Sequence, residues 1–351
     1  MLSQFKNKRL KLGKLLQYGD NLTICGNPVA LLKYITGELK TNDGYVEDDC
    51  FSCFTQRDDG IECYTTRFND GECLAGFRSP HNSPNNIVYL INKHPDILQK
   101  YFPKLGDNVI VINGIYTDVQ DRLNGQDLDT DSVFVTNQKD IVDLARKSYS
   151  EYATIINEIP LLGASKYGKD MKSYYDMDYK IALSQNDVGY ASNLAQLALS
   201  YYYDDGFKDN IKDNRLLNIF VICSVLAQVA IDSAKRIFDV EVTSELRRLS
   251  IICKEIIESK WTDDKKGVYY PRFYAEIMEM KDSKKNIPDK QIGEFVCPMD
   301  IIYKLIDEKV IDTRKQKKYQ TVTDGISYVF RYHKNEFAGF KRDSKQYGPS
   351  Q

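Results

Sequence analysis

The sequence predicts an α+β protein in which a compact β domain over 1–137 precedes a mostly helical domain over 138–351 that ends in a C-terminal extension. Two observations carry this. Between 44 and 135 the apolar residues fall in short β-rich runs, IECYTTRF, NIVYLIN, NVIVINGIY and SVFVT, broken by Gly, Asn, Pro and Asp. From Asp140 onward the apolar residues recur at helical spacing instead.

The elements follow in order. IECYTTRF (61–68), GECLAGF (71–77), NIVYLIN (86–92), NVIVINGIY (108–116) and SVFVT (132–136) have the length and residue types of strands. NLAQLALSYYY (193–203) and LLNIFVICSVLAQVAIDSAKRIF (216–238) are long apolar stretches of helical spacing. SELRRLSIICKEIIES (244–259) is amphipathic, with Ser244 as the expected N-cap. The 216–238 stretch has the look of a membrane helix, but Gln228, Asp232, Lys235 and Arg236 interrupt it, which fits a buried core helix. KDSKKNIPDK (281–290) and the tail beyond 341 read as loop or disorder.

At 351 residues and 42% hydrophobic, the chain can bury a substantial core, and length alone suggests about two domains. No stretch reaches the roughly 18 apolar residues of a bilayer span, and the basic N-terminus lacks the apolar run of a secretory signal. A cytoplasmic chain with no membrane partner is therefore expected. The net charge of −2 offers no bulk attraction for nucleic acid, so any such case rests on local patches. KNKRLKLGK (6–14) and RKQKK (314–318) are the candidates, and each reads first as a solvated surface. Eight scattered cysteines with no secretory context favour free thiols. Cys50-x-x-Cys53 with Cys63 and Cys73 matches a four-thiolate zinc site in count but lacks its second close pair. In the alternative, Cys63 and Cys73 lie on strands and serve sheet packing.

The most informative stretch is Asn124-Gly125-Gln126-Asp127-Leu128-Asp129-Thr130-Asp131. It sets three carboxylates at alternate positions between the apolar runs 109–116 and 133–135. In a tight loop leaving a strand, that spacing lets several carboxylate oxygens converge on one hard divalent cation, magnesium or manganese. In a regular strand the three would share one face and repel one another. Taken alone, an acidic stretch of this kind also describes an ordinary solvated turn.

Rival motifs fall away on their spacing. Gly163-Ala-Ser-Lys-Tyr-Gly168-Lys169 has the glycines of a phosphate loop, but Asp170 stands where a magnesium-holding Ser or Thr is required. A calcium loop starting at Asp127 would need Gly at Ser132 and Glu at Gln138. His81, His94 and His333 are too dispersed for a metal cluster or a catalytic triad.

With its surroundings, the loop resembles the second double-psi β-barrel of the two-barrel RNA polymerases. That superfamily spans cellular RNA polymerase, the RNA-dependent RNA polymerases of RNA silencing, and single-chain enzymes of phages and bacterial mobile elements. Three segments carry the resemblance in order. Gly125-Gln-Asp127-Leu-Asp129-Thr-Asp131 is similar to the family's Asp-x-Asp-Gly-Asp loop. Phe77-Arg78-Ser79-Pro80-His81-Asn82, followed by Asn86-Ile87, resembles the Arg-x-Pro element upstream of it. Val188-Gly189 through Leu199, then Ser224 through Lys235, resembles the helical region with its Ala-Val-Asp-x-x-Lys segment. The resemblance implies a double-psi β-barrel-like domain followed by a mostly helical one. It implies that Asp127, Asp129 and Asp131 are catalytic and hold magnesium or manganese, and that Arg78 and Lys235 bind substrate.

The activity so implied is phosphodiester synthesis from nucleoside triphosphates on a nucleic-acid template. Thr130 stands at the family's glycine, so either the backbone there tolerates a Cβ or the loop has left the active geometry. Little room exists before Gly44 for the first, lysine-bearing barrel, so the expected chain is a fragment, the product of a broken gene or a subunit awaiting a partner. The chemistry agrees with the residues themselves, because two divalent ions on carboxylates can activate a 3′-hydroxyl and stabilise leaving pyrophosphate. Two other classes share the features: a metal-dependent nuclease or phosphoesterase that turns the same aspartates on water, and a non-catalytic module that binds nucleic acid or a polymerase. Polar positions on the apolar helices, Asn193, Gln196, Gln228, Asp232 and Lys235, are either half-exposed helix positions or a surface facing the cleft.

Overall fold

The computed structural model describes residues 2–12, 17–39, 41–42, 45–46, 53–55, 57–79, 81, 83, 85–208, 213–281 and 286–309. Cys50, Pro80, Asn82, His333, the patch 314–318 and the tail lie outside the described residues, as do Gly13 and Lys14. The chain divides into two units, Leu16–Ile301 and the paired segments Met1–Leu15 and Ile302–Gln351.

In chain order the strands of the first half are β1 (Asp20–Cys25), a small hairpin of β2 (Thr41–Asn42) and β3 (Tyr45–Val46), then β4 (Ile61–Tyr64), β5 (Cys73–Phe77), β6 (Ile87–Asn92), β7 (Val109–Ile112) and β8 (Ser132–Thr136). Six of these close a barrel in the order β1-β7-β4-β6-β5-β8. β1 with β7 and β4 with β6 are parallel, and the other pairings are antiparallel. Exchanging β1 with β6, β4 with β7 and β5 with β8 maps each pairing onto one of the same sense. The barrel is thus two interlocked three-strand halves related by a pseudo-two-fold, the double-psi arrangement.

Burial on both faces explains why these strands read as apolar runs and not as clean alternation. Along β6, Val88 and Leu90 join Leu22, Ile24, Ile61, Leu74, Ile110, Val133 and Val135 inside the barrel. Ile87, Tyr89 and Ile91 face outward against Val142 and Ala145 of a covering helix. Gly76 lies where the walls come closest: a Cβ there would stand 2.7 Å from Val88 Cγ2 and 3.2 Å from Val133 Cγ2. The sequence reading missed β1, because DNLTIC alternates Leu22 and Ile24 with polar residues over a very short span.

The helices are α1 (Leu2–Lys8), α2 (Pro28–Ile35), α3 (Asp96–Tyr101), α4 (Val119–Arg122), α5 (Lys139–Glu151), α6 (Met171–Lys208), α7 (Asn214–Asp232), α8 (Val242–Lys260), α9 (Arg272–Lys281) and α10 (Pro298–Lys309). The barrel is therefore followed by a mostly helical region. Three expectations need correction. α6 runs far beyond 193–203, starting at Met171. The 216–238 stretch is not one helix: α7 stops at Asp232, and Arg236–Phe238 forms β10, antiparallel to β9 (Leu161–Ala164). The Ser165 amide donates to the Lys235 carbonyl at 2.9 Å, so strand pairing takes the chain out of the helix. α8 starts at Val242 with Glu241 as its N-cap; Ser244 lies inside the first turn, its amide donating to Glu241 Oε2 at 2.6 Å.

By length and composition alone α7 could cross a membrane. Its apolar residues, however, are core residues: Leu216, Ile219, Phe220, Cys223, Leu226 and Ala230 are all buried, and α7 packs on α6 and α8. Its N-terminus is capped by Asp213, whose Oδ1 accepts the Arg215 amide at 3.0 Å and whose Oδ2 lies 2.8 Å from Arg215 Nη2 and 3.3 Å from Lys260 Nζ. The hydrogen bond from Arg215 is the main reason the Asp213 carboxyl is held well below its usual range. A depressed carboxylate stabilises above its unfolded pKa of about 3.9 and loses that contribution as pH falls through its folded value. Asp213→Ala is therefore expected to cost about 1–2 kcal/mol at pH 7 and progressively less below pH ~4, measured by urea denaturation across pH. A cost unchanged from pH 7 to pH 2 would reject the ionic part.

Within the second unit, Lys6 Nζ and Lys11 Nζ lie 2.8 and 3.4 Å from Asp307 Oδ1. Buried Tyr303 donates its hydroxyl to the Lys11 carbonyl at 2.9 Å. Part of the basic 6–14 patch is thus engaged by internal partners.

Candidate metal centre

The aspartate loop leaves a short helix and enters a strand, whereas the sequence suggested a loop leaving a strand. α4 intervenes because Val119 and Leu123 bury into the barrel interior. The chain then turns through Asn124 and Gly125 at φ of 64° and 70°. Glycine adopts this left-handed region freely and asparagine tolerates it. The Gln126 amide donates back to the Gln120 carbonyl at 3.0 Å, and the far end is tied to β1 by the Ile24 amide donating to the Asp131 carbonyl at 2.8 Å.

Between these ties one oxygen from each of Asp127, Asp129 and Asp131 lies within 4.8 Å of the others. An octahedral magnesium with ligands about 2.1 Å away places its oxygens about 3.0 to 4.2 Å apart, so a small inward adjustment seats all three. No other acidic, histidine or cysteine group meets this criterion among the described residues. The crowding perturbs titration in opposite senses. Asp127 is held below the usual carboxylate range, chiefly by its hydrogen bond with Asp129 and also by the charges of Arg78 and Lys235. Asp129 is pushed up, first by the same hydrogen bond and then by the charges of Asp127 and Asp131. Hard oxygen donors, solvent access and mutual repulsion in one loop are the features a divalent cation satisfies.

Three side chains hold the start of the loop. Arg78 Nη1 donates to the Leu123 and Asn124 carbonyls, both at 3.0 Å, while its Nη2 lies 2.8 Å from Asp131 Oδ2. Asn86 Nδ2 donates to the Arg122 carbonyl at 2.9 Å. Gln228 Nε2, from α7, donates to Asn124 Oδ1 at 2.6 Å. Three consecutive carbonyls, 122 to 124, are thus engaged, and Arg78 spans both ends of the loop. Lys235 is exposed, and its charge is felt at both Asp127 and Asp129. Asp232 pairs instead with Arg236 Nη1 at 3.1 Å, and Asn193 and Gln196 are half-buried on α6. Sequence reasoning missed Asn124 as a residue of the site; the Asn-Gly dipeptide, a strong turn signal, would have found it.

Thr130 has φ of 94°. A position where the resembling family has glycine thus keeps a glycine-like backbone while bearing a β-branched side chain, a strained combination. Such strain costs about 1–3 kcal/mol, and glycine returns about 0.5–1 kcal/mol through the freer unfolded chain. Thr130→Gly is expected to raise stability by about 1 kcal/mol, seen as a higher urea midpoint with unchanged slope. A lower midpoint would mean that the threonine is unstrained.

The rival motifs take ordinary places. Cys63 and Cys73 lie on strands β4 and β5, and among the described residues Cys53, Cys63 and Cys73 form no metal group. Cys53 Sγ donates to Asn27 Oδ1 at 3.1 Å, and burial pushes its thiol up to about 12. Gly163 lies within β9 and only Gly168 sits between β9 and α6, where the Asp170 carboxylate accepts the Ser173 amide and hydroxyl, each at 2.9 Å. A carboxylate thus occupies donors a phosphate would use.

No protein-family model matches the chain, and no curated protein matches it either. Among solved structures, the chain is similar to an RNA dependent RNA polymerase, QDE-1 from Thielavia terrestris, at 16% sequence identity and a TM-score of 0.47. The match covers 92% of this chain and 32% of that one, so the chain spans about a third of that protein's length.

Proposed function

We propose that this chain carries the metal-binding half of an RNA polymerase-like nucleotidyltransferase, which makes phosphodiester bonds from nucleoside triphosphates on a nucleic-acid template. The observation that supports it is the convergence of Asp127, Asp129 and Asp131 on one point of a loop clamped at both ends. When bound there, magnesium or manganese would supply activation of the 3′-hydroxyl and charge stabilisation at the phosphoryl group. The protein's own part is positioning: Arg78, Asn86 and Gln228 fix the loop so that the carboxylate oxygens need only a small inward adjustment. Lys235, whose charge reaches Asp127, would meet a phosphate in this reading. In this reading a second barrel, supplied from outside this chain, brings further cations to the triphosphate.

The test is incorporation of labelled nucleotide onto a primed template with manganese, by the chain alone and after addition of a lysine-bearing barrel encoded next to it. Incorporation by wild type that is lost in Asp127→Asn supports the reading. Template hydrolysis without incorporation would replace it with a nuclease. Metal binding without either reaction, even with the added barrel, would leave a non-catalytic module.

A further inference from the structure

A cavity of about 750 Å³ lies in the helical region, between α6 and the segment that follows α7. One wall is a single face of α6, where Met177, Ile181, Ser184 and Val188 recur at helical spacing; Ile231 and Ala234 form another. The remaining side is preformed: the Tyr167 hydroxyl donates to the Ala234 carbonyl at 2.8 Å, and the Ser165 amide donates to the Lys235 carbonyl at 2.9 Å. Two cations stand at this apolar slot. Lys235 lines it, and Lys180 Nζ lies 3.4 Å from Ser165 Oγ and 5.5 Å from the Tyr167 ring centre. Ile231 of the cavity wall lies on α7, one turn beyond Gln228, whose Nε2 donates to Asn124 Oδ1 at 2.6 Å at the start of the aspartate loop, and α7 thereby connects the cavity with the metal centre. Toward the start of α6 the same face continues to Tyr174, with Tyr175 and Tyr179 exposed nearby.

We propose that this cavity seats an unpaired base of single-stranded nucleic acid, with the adjoining phosphate on Lys235 and the strand running toward the aspartate loop. A planar base fits an apolar slot with polar groups at its edge, here Ser165 and Gln185. An anionic strand neutralises the two lysines, whereas an apolar peptide segment would cover them without a counter-charge. Exposed Tyr174, Tyr175 and Tyr179 in the first turns of α6 extend the stacking surface along the helix. A duplex keeps its bases stacked and offers none to the slot. This inference deepens the nucleotidyl-transfer reading by giving the strand a seat, yet it is tested without metal or turnover.

The experiment is fluorescence anisotropy of the full chain with a labelled single-stranded oligouridylate in the absence of divalent ions. Ile181 is 39% exposed, so Ile181→Asp places a carboxylate in the slot without opening the core. Ile181→Asp and the slot-filling Val188→Trp are each expected to weaken binding at least about tenfold. Ile251→Asp on α8, at a position 61% exposed, serves as the control and stays within about twofold. Manganese binding to Ile181→Asp should match wild type, which separates failure of the strand seat from failure of the metal centre. The proposal is overturned if both slot variants bind the oligonucleotide as wild type does, or if a blunt duplex binds as tightly as the single strand. It is equally overturned if the variants lose only binding of an apolar peptide.

Discussion

Asp129→Ala is expected to remove measurable manganese binding at the loop, by at least about tenfold in affinity, with nucleoside triphosphate present. Asp129 is the middle carboxylate, and its carboxyl is pushed above the usual range because Asp127 hydrogen-bonds to it and the charges of Asp127 and Asp131 crowd it. The same crowding that makes its ionised form costly without a cation is what a bound cation relieves. Only one short loop supplies ligands, so water or substrate must complete the octahedron and affinity without nucleotide is expected to be weak. Calorimetry or paramagnetic NMR, titrating manganese into wild type and variant, measures this directly. Asp129→Asn separates charge from shape, since it keeps an oxygen donor and removes the repulsion. If wild type and Asp129→Ala bind manganese indistinguishably, the loop is an ordinary acidic turn and the catalytic reading fails.

How much of this was legible in the sequence follows from what each segment buries. β4 and β6 are buried along their whole length, so IECY and IVYLIN appear as apolar runs that admit a strand reading at once. β1 hides because only Leu22 and Ile24 of its six residues are buried. The end of α7 was misread for the opposite reason: Ile237 and Phe238 prolong the apolar texture, but the backbone there is committed to a strand pairing with residues 161–164. Pairing partners some seventy residues away leave no local trace. The same distinction holds at the site. The three aspartates were visible because their spacing is local, and Arg78 because its surrounding motif resembles a known one. Their connection was not visible, since Arg78 meets the carbonyls of Leu123 and Asn124 across 45 and 46 residues and Gln228 meets Asn124 across 104. Gln228 stood out only as a polar residue on an apolar helix, and what it touches required the fold.

Arg78→Ala is expected to cost about 2–4 kcal/mol of stability and to weaken manganese binding at the loop by about tenfold or more. The resemblance assigned this arginine to substrate binding; the geometry gives it an additional task. Its guanidinium engages the start of the loop through two carbonyls and the end through Asp131, at 16% and 20% side-chain exposure for the ion pair. Removing it leaves two carbonyls and a partly buried carboxylate without their donor, and it frees the two ends of the loop to separate. The planar fork makes all three contacts at once, which a lysine ammonium on a single point cannot do. Arg78→Lys is therefore expected to recover part of the charge interaction with Asp131 but little of the metal affinity. Urea denaturation and manganese titration on the same samples decide between the two roles. A variant that keeps full stability and metal affinity but raises the KM for nucleotide would make Arg78 a substrate contact alone. One that loses stability and metal affinity together makes it the clamp that holds three mutually repelling carboxylates in reach of one ion.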